Sequence, residues 1–220
     1  KPFQQAIDRW AVRKELGLPP EAVVVGHVGR FAPQKNHFFL VEVLAEVMRA
    51  DKRVYGLLVG DGPLRPAVER RLKELGVTSR VVLTGVRADI PRLMRGAMDV
   101  FIFPSCHEGL GLVVIEAQAA GLPCLVSDRV PNEARLVTPL IRSLQLELGA
   151  YKWAEEILNM AGEPSPVDYR SAFETVQRSS FNISVNVATL QDFYRSAVMR
   201  TEPPADVCQV AAQKQRSHLI

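Results

Sequence analysis

Two cations and two carboxylates stand where a bound anion could use them. Arg30 and Lys35 lie five residues apart in the run Gly29-Arg30-Phe31-Ala32-Pro33-Gln34-Lys35-Asn36. Later in the chain, Glu108-Gly109-Leu110-Gly111 leads into an apolar, helix-like stretch that carries Glu116. Glycines ahead of a helix let backbone amides approach an anion closely, and the helix dipole favours its charge. Main-chain N–H groups of Gly109, Leu110 and Gly111 can therefore cradle a phosphate. Arg30, with its planar fork, and Lys35, as a point charge, can supply the counter-charge that a diphosphate demands, with no metal and no further cofactor. Carboxylates accept hydrogen bonds from hydroxyls. Glu108 and Glu116, flanking a phosphate cradle, suit a ligand with a sugar at each end of its diphosphate, which is the chemistry of a nucleotide sugar.

The elements that must hold these residues follow from the hydrophobic pattern. Val23 to Val28 is apolar and β-branched, as a strand buried on both faces should be. His37 to Met48 has apolar residues at helical spacing. A second strand, Val54 to Val59, ends in Gly60-Asp61-Gly62, and a helix then runs from Pro63 to about Leu75. Arg80 to Leu83, Val100 to Phe103 and Pro123 to Val126 read as further strands, with helices over Ile90 to Met94 and Gly111 to Ala120 between them. Val137 to Leu140 and Ser143 to Leu148 are weaker strand candidates. Tyr151 to Met160, Val167 to Arg178 and Val185 to Met199 read as helices. Strands and helices alternating in this rhythm specify a Rossmann-like α/β fold, a doubly wound parallel sheet with helices on both faces. In such a sheet ligands bind beyond the carboxyl ends of the strands. Arg30 and Lys35 follow the first strand, Val86 and Arg87 the third, and Glu108 the fourth.

On these residues the chain resembles the retaining glycosyltransferases of the GT-B fold, family four (glycosyltransferase group 1), whose E-x7-E motif is matched by Glu108-Gly-Leu-Gly-Leu-Val-Val-Ile-Glu116. Other elements match in order: Gly29-Arg30 with Lys35, Gly60-Asp61-Gly62, Leu83-Thr84-Gly85, Ala97 to Asp99 before a strand ending in Pro104-Ser105, and Ala120-Gly121-Leu122-Pro123. The resemblance covers Val23 to Ser127 tightly and the helices out to about Met199 loosely. It implies that Arg30 and Lys35 contact the donor diphosphate and stabilise the leaving group. It further implies that Glu108 faces the donor hexose and Glu116 holds the nucleotide ribose, with Arg30, Lys35 and Glu108 the catalytic set. Gly29, Gly109, Leu110 and Gly111 would complete the donor site, with Val86 and Arg87 beside the base. The chain departs from the family after the fifth strand, where Pro131-Asn132-Glu133 has no later Asn-Gly turn. That tail looks closer to the bacterial capsular and exopolysaccharide branch. The resemblance also implies an acceptor-binding N-terminal Rossmann domain with no counterpart here. Residues 1–22 are expected to form a linker helix from it, 23–182 the donor domain, 183–200 a C-terminal helix and 201–220 a disordered tail.

The bulk properties fit a globular chain. It has 220 residues, 47% hydrophobic and 23% charged, with a formal charge of +3. That charge is too small, and the Lys and Arg too interleaved with Asp and Glu, to imply nucleic acid. Cys106, Cys124 and Cys208 are odd in number and show no CxxC spacing, so neither a disulfide framework nor a zinc site is indicated. They are expected to be packing residues of a cytoplasmic protein. Arg65, Arg70, Arg71 and Lys73 read as a solvated helix face, with peripheral contact to anionic lipid as the alternative. His107 reads as an exposed loop residue. Gly60-Asp61-Gly62 is either a tight turn or a place where Asp61 touches ligand. A nicotinamide-dependent oxidoreductase would need GxGxxG after the first strand, and Gly29-Arg30-Phe31-Ala32-Pro33 lacks it. A non-catalytic nucleotide-binding or interaction module on the same fold is the remaining alternative.

Overall fold

The computed structural model describes residues 7–201. Six strands form one parallel sheet: β1 (Val23–Val28), β2 (Val54–Val59), β3 (Val81–Gly85), β4 (Val100–Phe103), β5 (Cys124–Ser127) and β6 (Ile141–Leu144). Their order is β3-β2-β1-β4-β5-β6. The chain thus winds outward from β1 in one direction and from β4 in the other, and the reversal falls between these two central strands.

Burial on both faces follows from the sequence of β1. Val25 faces a core built from α2 (His37–Ala50), α3 (Arg65–Glu74) and α6 (Gly149–Gly162), in which Leu40, Leu44, Val68, Trp153 and Ile157 are almost fully buried. Val24 points the other way, toward the side of α1 (Arg9–Glu15), α4 (Ile90–Gly96), α5 (Leu112–Ala119) and α7 (Tyr169–Gln177), where α1 packs on α4 and α5 on α7. Helices on both faces are what the expected doubly wound fold requires. On this second face Gly26 is needed for space, because a Cβ there would stand 2.1 Å from the Met98 sulfur.

Helix α1 is pinned to the sheet. Arg13, almost fully buried, donates to the carbonyls of Pro20, Ala22 and Ala97 and to Asp99 Oδ2 at 2.6 Å. Asp99 also accepts from Arg9 and from the Val24 backbone N–H. The first compact unit accordingly contains α1 and ends at Gln177. The second begins at Arg178, and its helix α8 (Ile183–Thr201) exposes Ile183, Leu190, Phe193 and Tyr194. The expected tail beyond residue 201 lies outside the described residues.

Two strand expectations are corrected between β5 and α6. Val137 to Leu140 is not a strand: Thr138–Leu140 forms a 3₁₀ turn. Pro139 has no N–H to offer a ladder, and the Val137 N–H is taken by the Gln118 side chain at 2.7 Å. The strand expected over Ser143 to Leu148 is instead Ile141–Leu144, followed by a 3₁₀ turn at Leu146–Leu148.

Candidate functional site

The loops after β1 and β4 border the crevice at the point where the strand order reverses, the place where open α/β sheets bind ligands. The β1 loop carries Arg30 and Lys35, and the β4 loop carries Glu108 to Gly111. The two loops touch directly. The Cys106 N–H donates to the Gln34 carbonyl at 2.9 Å, and Lys35 Nζ lies 2.5 Å from Glu108 Oε2. Both side chains of that ion pair are largely shielded from water. Lys35 is also steadied by the Phe103 ring, whose centroid lies 4.7 Å from its ammonium. Arg30 is exposed, and its guanidinium has no partner among the described residues.

The glycines of the β4 loop serve different ends. Gly111 caps α5 in the left-handed region, φ 76°, a conformation that costs other residues energy. The Glu108 Cγ packs 3.4 Å from where a Gly111 Cβ would be. Gly109 is exposed in open space. Glu116 follows one turn into α5. Its side chain reaches solvent, yet partial desolvation holds its carboxyl above the ordinary value. It has no hydrogen-bond or salt-bridge partner among the described residues, so it is available to a ligand hydroxyl.

The loop after β2 supports the β1 loop from behind. Gly29 N–H donates to Val59 O, Phe31 N–H to Asp61 O and Leu64 N–H to Phe31 O. Such close approach requires glycine: a Cβ on Gly60, whose φ is 132°, would sit 2.1 Å from Gly29 O, and one on Gly62 would sit 2.6 Å from Phe31 O. The Asp61 carboxylate is occupied by the Gly62 N–H and by Arg65. Of the two readings of Gly60-Asp61-Gly62, the geometry supports the tight turn.

The residues after β3 are less well gathered. Val86 is 81% exposed. Arg87 is held by Asp89 and Glu15, with Arg92 completing the network; Arg87, with help from Arg92, holds the Asp89 carboxyl down at about 2. Arg87 thus reaches the crevice only by giving up two carboxylates. On the basic face of α3, Arg65 and Arg71 are likewise engaged, with Asp61 and Glu69 and with Glu42 and Glu74. Cys124 is buried as expected, but Cys106 is exposed in the β4 loop rather than packed. His107 beside it is exposed as well.

A feature the sequence reading missed lies under the β1 loop. His27 and His37 are fully buried. The His37 ring stacks on Phe31 at 4.1 Å and meets His27 edge-on at 5.0 Å, and His27 faces Phe103 at 5.7 Å. His27 Nδ1 is 3.0 Å from the Ile102 carbonyl. Burial holds both rings neutral, lowering His27 to about 3 and His37 to about 4, and nearby Lys35 adds to both shifts. The signal was a histidine inside an otherwise apolar strand, where a polar group must be compensated.

Comparison with known proteins identifies the family and the fold. The sequence profile of Glycosyl transferases group 1 matches residues 22–160. The protein EpsF of Bacillus subtilis (strain 168) is 34% identical over 180 residues, covering 81% of this chain and 46% of EpsF. The 2-deoxystreptamine glucosyltransferase of Streptomyces kanamyceticus is 42% identical over 115 residues, 51% of this chain and 30% of that protein. The chain therefore spans less than half the length of these relatives. The structure of Anabaena HepE in complex with UDP superposes with a TM-score of 0.74 at 23% identity, covering 88% of this chain and 54% of that one, a likeness of fold. With the profile matching well over half its length, the chain belongs to the glycosyl transferases group 1 family.

Proposed function

We propose that this chain is the donor half of a retaining, metal-independent glycosyltransferase of polysaccharide or glycoconjugate synthesis, holding a nucleotide diphosphate sugar, UDP-sugar favoured, in the β1/β4 crevice. The observation that carries this reading is the convergence of Arg30, Lys35, Glu108 and the unpartnered Glu116 on the borders of that crevice. Support comes from HepE, whose fold is shared and which was solved with UDP and with UDP-glucose. In the reaction, the bond from the anomeric carbon to the diphosphate oxygen breaks. A bond from an acceptor hydroxyl forms on the same face, and the hydroxyl proton passes to the departing diphosphate. Negative charge grows on the leaving oxygen, and Arg30 and Lys35 stabilise it where it develops. Glu108 orients the sugar, Glu116 the ribose, and the amides of Gly109 to Gly111 the phosphates, while Gly29 lets the β1 loop approach and Val86 and Arg87 border the base. Acceptor binding is assigned to a second Rossmann-like domain outside this chain, and the whole protein to the cytoplasm, with peripheral membrane contact.

The chain alone is then expected to bind nucleotide without transferring sugar. Calorimetric titration with UDP, GDP and UDP-sugars tests this. Glu116→Ala and Arg30→Ala should each weaken binding by about ten- to a hundredfold, the usual cost of losing a hydrogen bond to a charged group. Absence of binding by every nucleotide would falsify the reading.

A further inference from the structure

The crevice already contains an anion, and it belongs to the protein. The Glu108 carboxylate lies against the Lys35 ammonium, its Cγ packs on Gly111 ahead of the α5 N-terminus, and little of its side chain reaches water. The Lys35 ammonium is where a phosphate oxygen would find its charge partner. Lys35 cannot serve a diphosphate fully while Glu108 holds it. Other contacts do not depend on this pair: the Cys106-to-Gln34 backbone bond joins the two loops, and the Phe103 ring steadies Lys35.

We infer that Glu108 is an internal stand-in for the donor diphosphate, and that donor binding is an exchange in which phosphate takes Lys35 while the sugar hydroxyls take Glu108. This rests on the donor-binding reading above and adds a specificity rule to it. A nucleoside diphosphate alone displaces Glu108 and gives it nothing in return, whereas a nucleotide sugar offers hydroxyls that accept the displaced carboxylate. The site therefore favours the sugar-bearing nucleotide over the bare one. Once the sugar has left, Glu108 competes again for Lys35, which assists departure of the product. No bond is made or broken in the exchange, and no other reactant is required.

The test is calorimetry with UDP, UDP-glucose and pyrophosphate on the 220-residue chain, using the wild type, Glu108→Gln, Lys35→Gln and the double variant. Glu108→Gln, with Glu108→Ser as a second probe, should tighten UDP and pyrophosphate by about tenfold, which is what freeing one charge-assisted hydrogen bond amounts to. UDP-glucose should gain nothing or weaken. In the Lys35→Gln background the same substitution should leave UDP affinity unchanged, since there is no ammonium to release. Tightening that persists without Lys35 would mean general charge repulsion and overturns the exchange, as does a Glu108→Gln variant that binds UDP no better than wild type. If wild type and Glu108→Gln both bind none of the three probes, the donor-binding reading falls and the exchange falls with it. UDP binding without the tightening sinks the exchange alone.

Discussion

His27 and His37 show how a buried titratable residue writes pH dependence into a fold. Both have lowered values in the folded chain, about 3 and about 4, against an ordinary 6.5. The unfolded chain therefore binds protons below pH 6.5 that the folded chain refuses. The stabilisation is fully present above that pH and is lost as pH falls toward the folded values. Each histidine should cost about 2 kcal/mol between pH 6.5 and about pH 5. Urea unfolding at pH 7 and near pH 5 measures the loss, and His37→Phe, which keeps the stack on Phe31, should remove about half of the slope. An unchanged slope in that variant would mean that other groups carry the pH dependence. At this scale the sequence singled out Arg30, Lys35 and Glu108 because charged residues just past strand ends declare themselves by type and position, and Glu116 by its spacing from Glu108. It was a poor guide to His27 and His37, whose rings meet only when β1 and the start of α2 are folded together. Arg87 shows a related limit: the resemblance suggested a ligand contact, but besides its neighbour Asp89 it is held by Glu15, from an element that spacing alone does not bring near.

The crossover from β5 to β6 is unusual among the connections of this sheet because 3₁₀ turns, not an α-helix, fill it. Gln118, fully buried on α5, makes it possible. Its amide donates to the carbonyls of Val114 and Ala134, and its oxygen accepts the Val137 N–H. Replacing it with leucine would leave Ala134 O and Val137 N–H buried without partners. Gln118→Leu should therefore lower stability by about 2–4 kcal/mol, at about 1–3 kcal/mol for each unsatisfied group less the gain of a larger apolar side chain. Chemical denaturation measures it, and a loss below about 1 kcal/mol would show that water replaces the amide. The same segment marks where element prediction failed. Long apolar runs such as Val54–Val59 identify themselves, but Val137 to Leu140 imitates a strand in composition. Only Pro139 and a partner nineteen positions earlier, Gln118, decide the matter.

For the molecule as a whole, the alternation of strand and helix was enough to specify a doubly wound parallel sheet, whereas the strand order, and with it the position of the crevice, is visible only in the folded chain. Less legible was the place of α1. The sequence placed it as a linker helix before the first strand, and Arg13 and Asp99 bind it to the N-terminal ends of the central strands β1 and β4. Charge pairing across such sequence distance has no local signature.

The interlock of Gly60 and Gly62 with the β1 loop leaves the crevice with two jaws of unequal stiffness. One jaw is welded by backbone hydrogen bonds to β2 and the loop after it, while the other is held by one ion pair and one backbone bond across the gap and by the Ser127 hydroxyl donating to the Ser105 carbonyl. Adjustment to ligand should thus be confined to the β4 side, and the protein carries its own reporter there. Cys106 is exposed on that jaw, whereas Cys124 is sealed in β5 and burial pushes its thiol upward. With Cys208, which lies outside the described residues, replaced by serine, maleimide labelling should follow Cys106 alone, and saturating UDP-sugar should slow it several-fold. Labelling that nucleotide leaves untouched would mean that the second jaw is as rigid as the first.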